Sequence, residues 1–414
     1  MRRIDCLHRF LVDQEAAMRE ALQEIAEINS GSRNLAGLRL AAEWLGRYFA
    51  DFPADRHIVE LPPREFVTDG GLVSRCPVGP LLRWDYRPQA QRRVLLMIHY
   101  DTVFGEDDAF QTCSIPTPAK MQGPGVADAK GGIIVLAAAL RALLNCNLLR
   151  EHGWTVLLNP DEELGSPSSA AYLQRIAKEF DFGLLFEPAL PDGRLVSARK
   201  GSGNFTLIVR GRAAHAGRHF EQGRNAIVML ARLIDQLDAL NGQRPGTTIN
   251  VGMISGGTAV NVVPDVAVAR LNVRFARPED GQWFSQELQQ RVAKIARCEG
   301  FQAEVHGGVL SPPKLVTPAM EQLMHGIELA GRTIASPPAG WRETGGVCDG
   351  NKLAAAGLPN VDTMGPIGDG LHSRQEWVDL ESLPTKALLV AELLAGWEAG
   401  DYDLPQRPHP ASAS

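Results

Sequence analysis

Apolar runs and helically spaced apolar residues alternate along the N-terminal half of the chain. Short runs of consecutive apolar residues predict buried strands at 94–98, 154–158 and 182–186. Apolar residues at helical spacing predict helices within 14–52, with a break at the polar segment 29–32, and at 130–144 and 168–180. Strands that alternate with helices usually pair in parallel, with helices on both faces. The pattern therefore predicts an α/β fold with a mixed, largely parallel sheet flanked by helices.

The middle of the chain has a different pattern. Residues 203–210 and 267–275 alternate apolar and polar positions, which is typical of half-buried antiparallel strands. Helical spacing recurs at 225–240 and 281–298, and strand–helix alternation resumes after Pro312 and Pro313. We therefore expect one domain formed by residues 1–199 and 312–414, with a smaller α+β domain, residues 200–311, inserted into it. The Pro/Ser-rich tail from Pro405 is expected to be disordered.

Composition and charge exclude several classes of partner. The chain has 414 residues, of which 44% are hydrophobic and 22% charged, so it can form two packed cores. Its net charge of -6 and the lack of a long basic run argue against nucleic acid and anionic membrane as partners. We find neither the apolar core of a signal peptide nor an apolar run that could span a bilayer.

The six cysteines show no C-x-x-C pairing. A chain of this length does not need disulfides to be stable, so reduced thiols in a reducing compartment are favoured. From the cysteines and the N-terminal segment, we expect a cytoplasmic location.

Residues that can bind metal or transfer protons follow the first two predicted strands. His99 and Asp101 come directly after residues 94–98. With the two-residue period of a strand they point the same way, so the carboxylate can orient the imidazole of a metal-binding histidine. Glu162 and Glu163 follow the second strand, and two close carboxylates repel each other unless a cation lies between them. One of the pair could bind metal while the other faces a substrate.

Three further candidates complete the set. Glu187 follows the third strand, Asp128 precedes the helix at 130–144 in a glycine-rich turn, and His372 stands in a late glycine-rich loop. Taken singly, each has an ordinary structural explanation, such as a helix N-cap at Asp128 or a solvated loop. Ligands of parallel sheets gather at the carboxyl ends of strands. Two imidazoles and several carboxylates at such ends favour a site for zinc, cobalt or manganese.

These motifs resemble those of the M20 family of metallopeptidases. The resemblance rests on H-x-D-T-V at 99–103, G-x-G-x-x-D-x-K-G-G at 123–132, the Glu pair, the E-P at 187–188 and G-x-H-S-x-x-E at 370–376. Two motifs of the inserted segment also match, A-A-H-A-G at 213–217 and G-G-T-A-V-N-V-V-P at 256–264. The motifs occur in family order over residues 95–380, which is most of the chain.

The resemblance implies a fold of the zinc-peptidase type and a role for each candidate. Asp128 is expected to bridge two zinc ions, with His99 and Glu187 on one ion and Glu163 and His372 on the other. Asp101 is expected to orient His99, and Glu162 to act as general base. In the inserted lid and dimerisation domain, His215 is expected to reach the active site of the partner in a homodimer. Asn261 and Arg274 are expected to bind a substrate carboxylate.

The implied activity is hydrolysis of an amide bond adjacent to a carboxylate in a small N-acyl amino acid or short peptide. Glu187 stands where some branches of the family carry Asp, which favours the carboxypeptidase and aminoacylase branch. Cys348 stands where relatives often have Ser or Thr, so a hydroxyl contact to substrate is missing. Two alternatives remain: a desuccinylase or deacetylase of a biosynthetic intermediate, and a catalytically silent metal-binding scaffold.

Overall fold

The computed structural model describes residues 2–407 of the chain. Within this range the helices are α1 Arg3–Ala26, α2 Leu35–Tyr48, α3 Lys130–Asn145, α4 Ala170–Ile176, α5 Ala226–Asp238, α6 Pro278–Ala296, α7 Pro318–Thr333, α8 Asp349–Ala355 and α9 Ser382–Ala399. Single-turn 3-10 helices lie at Glu162–Leu164, Ala177–Glu179 and Phe220–Gln222.

The first ten strands are β1 Asp55–Val59, β2 Arg64–Val67, β3 Val73–Cys76, β4 Leu81–Tyr86, β5 Arg93–His99, β6 Ser114–Thr117, β7 Lys120–Gln122, β8 Gly153–Asn159, β9 Phe182–Leu185 and β10 Leu195–Arg199. The remaining strands are β11 Gly201–Arg210, β12 Ala214–His215, β13 Thr248–Gly256, β14 Val262–Val263, β15 Val266–Phe275, β16 Gln302–Ser311, β17 Trp341–Thr344, β18 Asn360–Val361, β19 Gly368–Asp369 and β20 Trp377–Asp379.

The central sheet has six strands in the order β1-β4-β8-β5-β9-β18. Strands β8, β5, β9 and β18 pair in parallel, whereas β4 joins β8, and β1 joins β4, in antiparallel fashion. Every residue of β5 is buried because helices cover both faces of the sheet. Leu96 and Ile98 pack in the core that contains α1, α3 and α9, and Leu95 and Met97 pack towards α4 and α8. The predicted fold class is confirmed.

Helix boundaries follow local capping chemistry. Thr317 precedes α7, which has Pro318 in its first turn, and the Thr317 hydroxyl accepts a hydrogen bond from the Met320 amide. Helix α9 ends at Ala399, and its C-terminal cap is Gly400 with φ 78°, a left-handed conformation that glycine adopts without steric strain. The helix predicted at 168–180 is shorter, because α4 ends at Ile176 and a 3-10 turn follows.

Residues 201–311 form a second unit with its own core. Its sheet is antiparallel, in the order β13-β15-β11-β16, and α5 and α6 pack on the face that presents Phe205 and Leu207. The other face carries Ile208 and Val268, which contact Val67 of the β2–β3 hairpin. The chain leaves the central unit after β10, which pairs in parallel with β17. The domain boundaries at 199/200 and 311/312 stay a prediction.

Two sequence predictions are wrong. Cys6 and Cys146 form a disulfide, because α1 packs on α3 and their Cα atoms lie 6.0 Å apart. The expectation of reduced thiols therefore fails for this pair. The disordered tail does not begin at Pro405, which is buried, and the Arg407 amide donates a hydrogen bond to Asp181 at 2.9 Å. The rest of that predicted tail, residues 408–414, lies outside the described residues.

No helix within residues 2–407 combines the length and the apolar character needed to cross a lipid bilayer.

Candidate metal centre and active site

The sheet topology brings the candidate side chains to one edge. His99 ends β5, Glu162 and Glu163 lie in the 3-10 turn after β8, and Glu187 lies two residues beyond β9. Because β8, β5 and β9 are parallel neighbours, their carboxyl ends meet at the same edge of the sheet. Asp128 reaches this edge from the turn before α3.

Asp128 lies between the two candidate histidines. Its Oδ1 atom is 3.1 Å from His99 Nε2, and its Oδ2 atom is 3.3 Å from His372 Nε2. His372 comes from the loop between β19 and β20 and has a φ of 60°, a left-handed conformation that is uncommon for residues other than glycine. One carboxylate therefore faces two imidazoles through different oxygens, which is the geometry of a bridging ligand.

Glu163 and Glu187 complete the cluster on opposite sides of Asp128. Glu163 Oε2 is 3.2 Å from His372 Nε2, and Glu187 Oε2 is 3.7 Å from His99 Nε2. Ligand atoms of His99, Asp128 and Glu163 all lie within 4.8 Å of one another. Glu187 thus lies beside His99 and Glu163 beside His372, and the assignment of these pairs to two metal ions stays a prediction.

Asp101 fixes the imidazole of His99. His99 Nδ1 lies 3.0 Å from the Asp101 carbonyl oxygen and 3.3 Å from Asp101 Oδ1, so Nδ1 carries the proton and Nε2 faces Asp128. The same carboxylate accepts hydrogen bonds from the amides of Glu162 at 3.1 Å and Glu163 at 3.2 Å, and from the Ser32 hydroxyl at 2.7 Å. Asp101 therefore orients the histidine and the acidic turn together.

Glu376 is a supporting residue to which the sequence analysis gave no role. Its carboxylate accepts hydrogen bonds from the backbone amides of Gly125 at 3.1 Å, Ala127 at 2.9 Å and Asp128 at 3.0 Å. The side chain is only 1% exposed. Burial raises the pKa of Glu376 to about 7, although the three amides oppose this. Its position in the late G-x-H-S-x-x-E motif was the available signal.

Burial and crowding shift the pKa values of the acids in the cluster. Burial raises the pKa of Glu162 well above its usual range, raises that of Glu163 to about 7, and also raises that of Glu187. Burial acts in the same direction on Asp128, but hydrogen bonds with His372 and His99 outweigh it and lower the pKa of Asp128. Hydrogen bonds with Asp128 and Glu163 raise the pKa of His372 to about 11.

The donor set fits divalent cations. Two imidazoles and three carboxylates converge without a thiolate, a combination that suits zinc and related divalent metals. A cation at this place relieves the mutual repulsion of Glu163, Glu187 and Asp128, which adds to the larger effect of burial in raising the pKa values of the two glutamates. The residues therefore fit the metal site that the sequence predicted.

A cavity of about 260 Å³ lies beside the cluster and is lined by Glu162 as well as by four of the candidate ligands. Two further lining residues, Arg199 and Cys348, had no assigned role in the sequence analysis beyond the missing hydroxyl at Cys348. The Nε and Nη2 atoms of Arg199 donate to Asp362, at 2.8 and 2.9 Å. The charge of Arg199 lowers the pKa of the neighbouring Glu187 against the larger effect of burial. Neither period nor spacing marks Arg199 in the sequence.

The three candidates in the inserted unit occupy different places. Arg274 extends from β15, with Nε donating to Asn272 at 2.9 Å and an NH group 3.5 Å from the Gly345 carbonyl oxygen, next to the cavity. Burial lowers the pKa of Arg274, and the charge of Glu162 opposes this, so the two side chains lie within electrostatic range.

His215 and Asn261 lie together but do not line the cavity of their own chain. Strand β12, which ends at His215, pairs with β14, and the Asn261 carbonyl oxygen accepts a hydrogen bond from the Ala216 amide at 2.9 Å. Both side chains are exposed.

Comparison with known proteins relates this architecture to a family of hydrolases. Residues 197–298 match the profile of the M20 peptidase dimerisation domain. Carboxypeptidase G2 of Pseudomonas sp. (strain RS-16) is 27% identical over 411 residues, which cover 96% of this chain and 94% of that protein. Succinyl-diaminopimelate desuccinylase of Nitrosococcus oceani is 28% identical over 287 residues, covering 66% of this chain and 74% of the relative.

A solved structure shows the same fold. The M20 family metallo-carboxypeptidase Sso-CP2 from Sulfolobus solfataricus superposes with a TM-score of 0.73, covering 91% of this chain and 98% of the other at 17% identity.

Proposed function

We propose that this chain, an M20 family metallopeptidase, is a two-zinc hydrolase that cleaves an amide bond adjacent to a carboxylate. Its activity would be that of a carboxypeptidase or an N-acyl-amino-acid amidohydrolase. The observation that carries the proposal is the position of Asp128, whose two oxygens face His99 and His372 separately.

In this proposal His99 and Glu187 would hold one zinc ion, Glu163 and His372 would hold the other, and Asp128 would contribute a carboxylate oxygen to each. The bound ions would lower the pKa of a water molecule and polarise the scissile carbonyl group. Asp101 keeps His99 in the tautomer that leaves Nε2 free for a metal, through the contacts of 3.0 and 3.3 Å at Nδ1.

We assign Glu162 as the general base. It lines the cavity beside the candidate ligands, and burial raises its pKa, so it can accept a proton from water and pass it to the leaving nitrogen near neutral pH. The backbone amide of Glu162 is fixed by Asp101 at 3.1 Å, which keeps the base next to the ligand Glu163. An intact base argues against a silent scaffold.

Substrate binding is assigned to the unit formed by residues 200–311, which we propose acts as a lid and as the contact of a homodimer. Arg274 stands close enough to the cavity to pair with a substrate carboxylate. His215 and Asn261 do not line the cavity of their own chain, which supports a role for His215 in the partner's active site.

The second candidate is a desuccinylase or deacetylase, which the 28% identity to a succinyl-diaminopimelate desuccinylase favours. Both candidates use the same centre and differ in the acyl group that is released. The cytoplasmic location expected from the sequence stays a prediction, and the Cys6–Cys146 disulfide opposes it because such bonds persist mainly in oxidising compartments.

The test combines metal loading with a Glu162→Gln variant. We expect chelator-treated protein to regain turnover of N-acyl amino acids and dipeptides when zinc is added. E162Q should bind zinc normally but lose about 100- to 10,000-fold in kcat. Glu20→Gln, at an exposed position of α1, is the matched control and should be unaffected. Full turnover by zinc-loaded E162Q would exclude this mechanism, and release of succinate or acetate alone would select the second candidate.

A further inference from the structure

A second cavity of about 260 Å³ lies at the N-terminal end of α9. Its walls come from this helix, from the loop between α7 and β17, and from the segment around Ile367. Pro337, Pro338, Ile367 and Leu389 give it an apolar side, and it shares no lining residue with the cavity at the metal centre. It is therefore a separate, partly open pocket.

Lys386 lines this cavity and is only 7% exposed. Three other lysines are buried as deeply in the described part of the chain, and each has a partner. Lys130 donates to the Ile28 carbonyl oxygen at 2.8 Å, Lys314 to Asp362 at 2.7 Å, and Lys352 to Asp349 at 2.9 Å. Lys386 has no hydrogen bond or ion pair with any of residues 2–407, and burial alone lowers its pKa to about 8.

The acids that line the same cavity do not neutralise Lys386. Asp379 and Glu381 both contribute to the wall, but neither lies within 4.0 Å of the ammonium group. Asp379 Oδ1 instead accepts a hydrogen bond from the Glu381 amide at 3.0 Å. Lys386 is the fifth residue of the 18-residue helix α9, whose N-terminal end favours a negative charge. The ammonium group reaches the space of the pocket but is largely removed from water, which is costly for a charge without a protein partner, and a bound anion reduces that cost.

We propose that this cavity binds a small organic carboxylate, with its carboxylate group paired to Lys386 and its apolar part packed on the prolines, Ile367 and Leu389. The volume is below the ~300 Å³ at which sites for drug-sized ligands begin, so the ligand has a short chain. A phosphate dianion fits less well, because Asp379 and Glu381 repel a double charge and because the apolar wall gives it no contact.

Butyrate is the probe, and acetylation of lysines by acetic anhydride at pH 8 is the readout, followed residue by residue with mass spectrometry. We expect butyrate to reduce the labelling of Lys386 at least fivefold in the zinc-loaded protein, and to leave the exposed Lys178 unchanged. This readout is local, so butyrate bound at the metal centre does not affect it. Inorganic phosphate at the same concentration should give no protection.

Equilibrium dialysis of labelled butyrate against Lys386→Met tests the same site by affinity. The loss of a hydrogen bond to a charged group should weaken the binding at this site by about tenfold or more. K386M should keep its turnover, which shows that it is folded, and Lys178→Met is the matched control. The proposal is overturned if butyrate does not protect Lys386, if phosphate protects it better, or if K386M binds butyrate like the wild type. In those cases Lys386 only extends its charge towards solvent.

Discussion

Glu376 offers the sharpest test of how the chain positions its metal ligands. The carboxylate accepts hydrogen bonds from three backbone amides of the turn before α3. Oε1 accepts those of Ala127 and Asp128, and Oε2 accepts that of Gly125. In Glu376→Gln the side-chain oxygen can still accept from the backbone amides of Ala127 and Asp128. The side-chain NH2 group then faces the backbone amide of Gly125, and two donors cannot form a hydrogen bond. The substitution therefore leaves one buried amide without a partner.

The magnitude follows from the number of bonds lost. A hydrogen bond to a charged group contributes about 1.5–3 kcal/mol, so E376Q should lower the free energy of unfolding of the metal-free protein by roughly 2 kcal/mol. Glu376→Ala loses all three bonds and should cost at least about twice as much. Because the turn carries Asp128, zinc affinity should also fall in E376Q, by about 10- to 100-fold as for other residues that support metal ligands.

Glu398→Gln is a matched control. Glu398 also accepts hydrogen bonds from three backbone amides, those of Arg150, Glu151 and His152. It lies in the last turn of α9, whereas Glu376 precedes the first turn of this helix. Urea unfolding in the presence of chelator measures stability, and competition with a chromophoric chelator measures zinc affinity. We expect E398Q to lose some stability and to keep wild-type zinc affinity. If E376Q binds zinc as tightly as E398Q does, the turn does not depend on Glu376.

Two further predictions concern stability. Burial lowers the pKa of Lys386 from its ordinary value of 10.5 to about 8, so between these values the unfolded chain binds a proton that the folded chain has lost. The free energy of unfolding should therefore rise with pH in this range, and urea unfolding should show a smaller rise for K386M. An equal dependence on pH in the two proteins would contradict the burial of the charge. Cys6→Ser should lower the free energy of unfolding by up to about 5 kcal/mol, because the disulfide closes a loop of 140 residues. Wild-type protein should lose the same amount when reductant is added. Equal stability with and without reductant would exclude the bond.

The sequence was sufficient to predict the central sheet and the place of the site. The run at 94–98 is apolar on both faces, as expected for a strand that helices cover on both sides. Strand β5 has that position in the fold. His99, Glu163 and Glu187 each follow an apolar run, and parallel pairing then brings them to one edge. The convergence of these residues follows from local pattern together with one topological rule.

The tertiary structure decided everything that depends on packing between distant segments. The roles of Glu376, 248 residues from Asp128 in the chain, and of Arg199 arise only once the late loop and β10 are in place. The Cys6–Cys146 bond and the lone ammonium of Lys386 were equally absent from the local pattern. Hydrophobic period reports which face of an element is buried, but it does not report which other element covers that face. Partners of buried polar groups are therefore set by the packing of helices and loops.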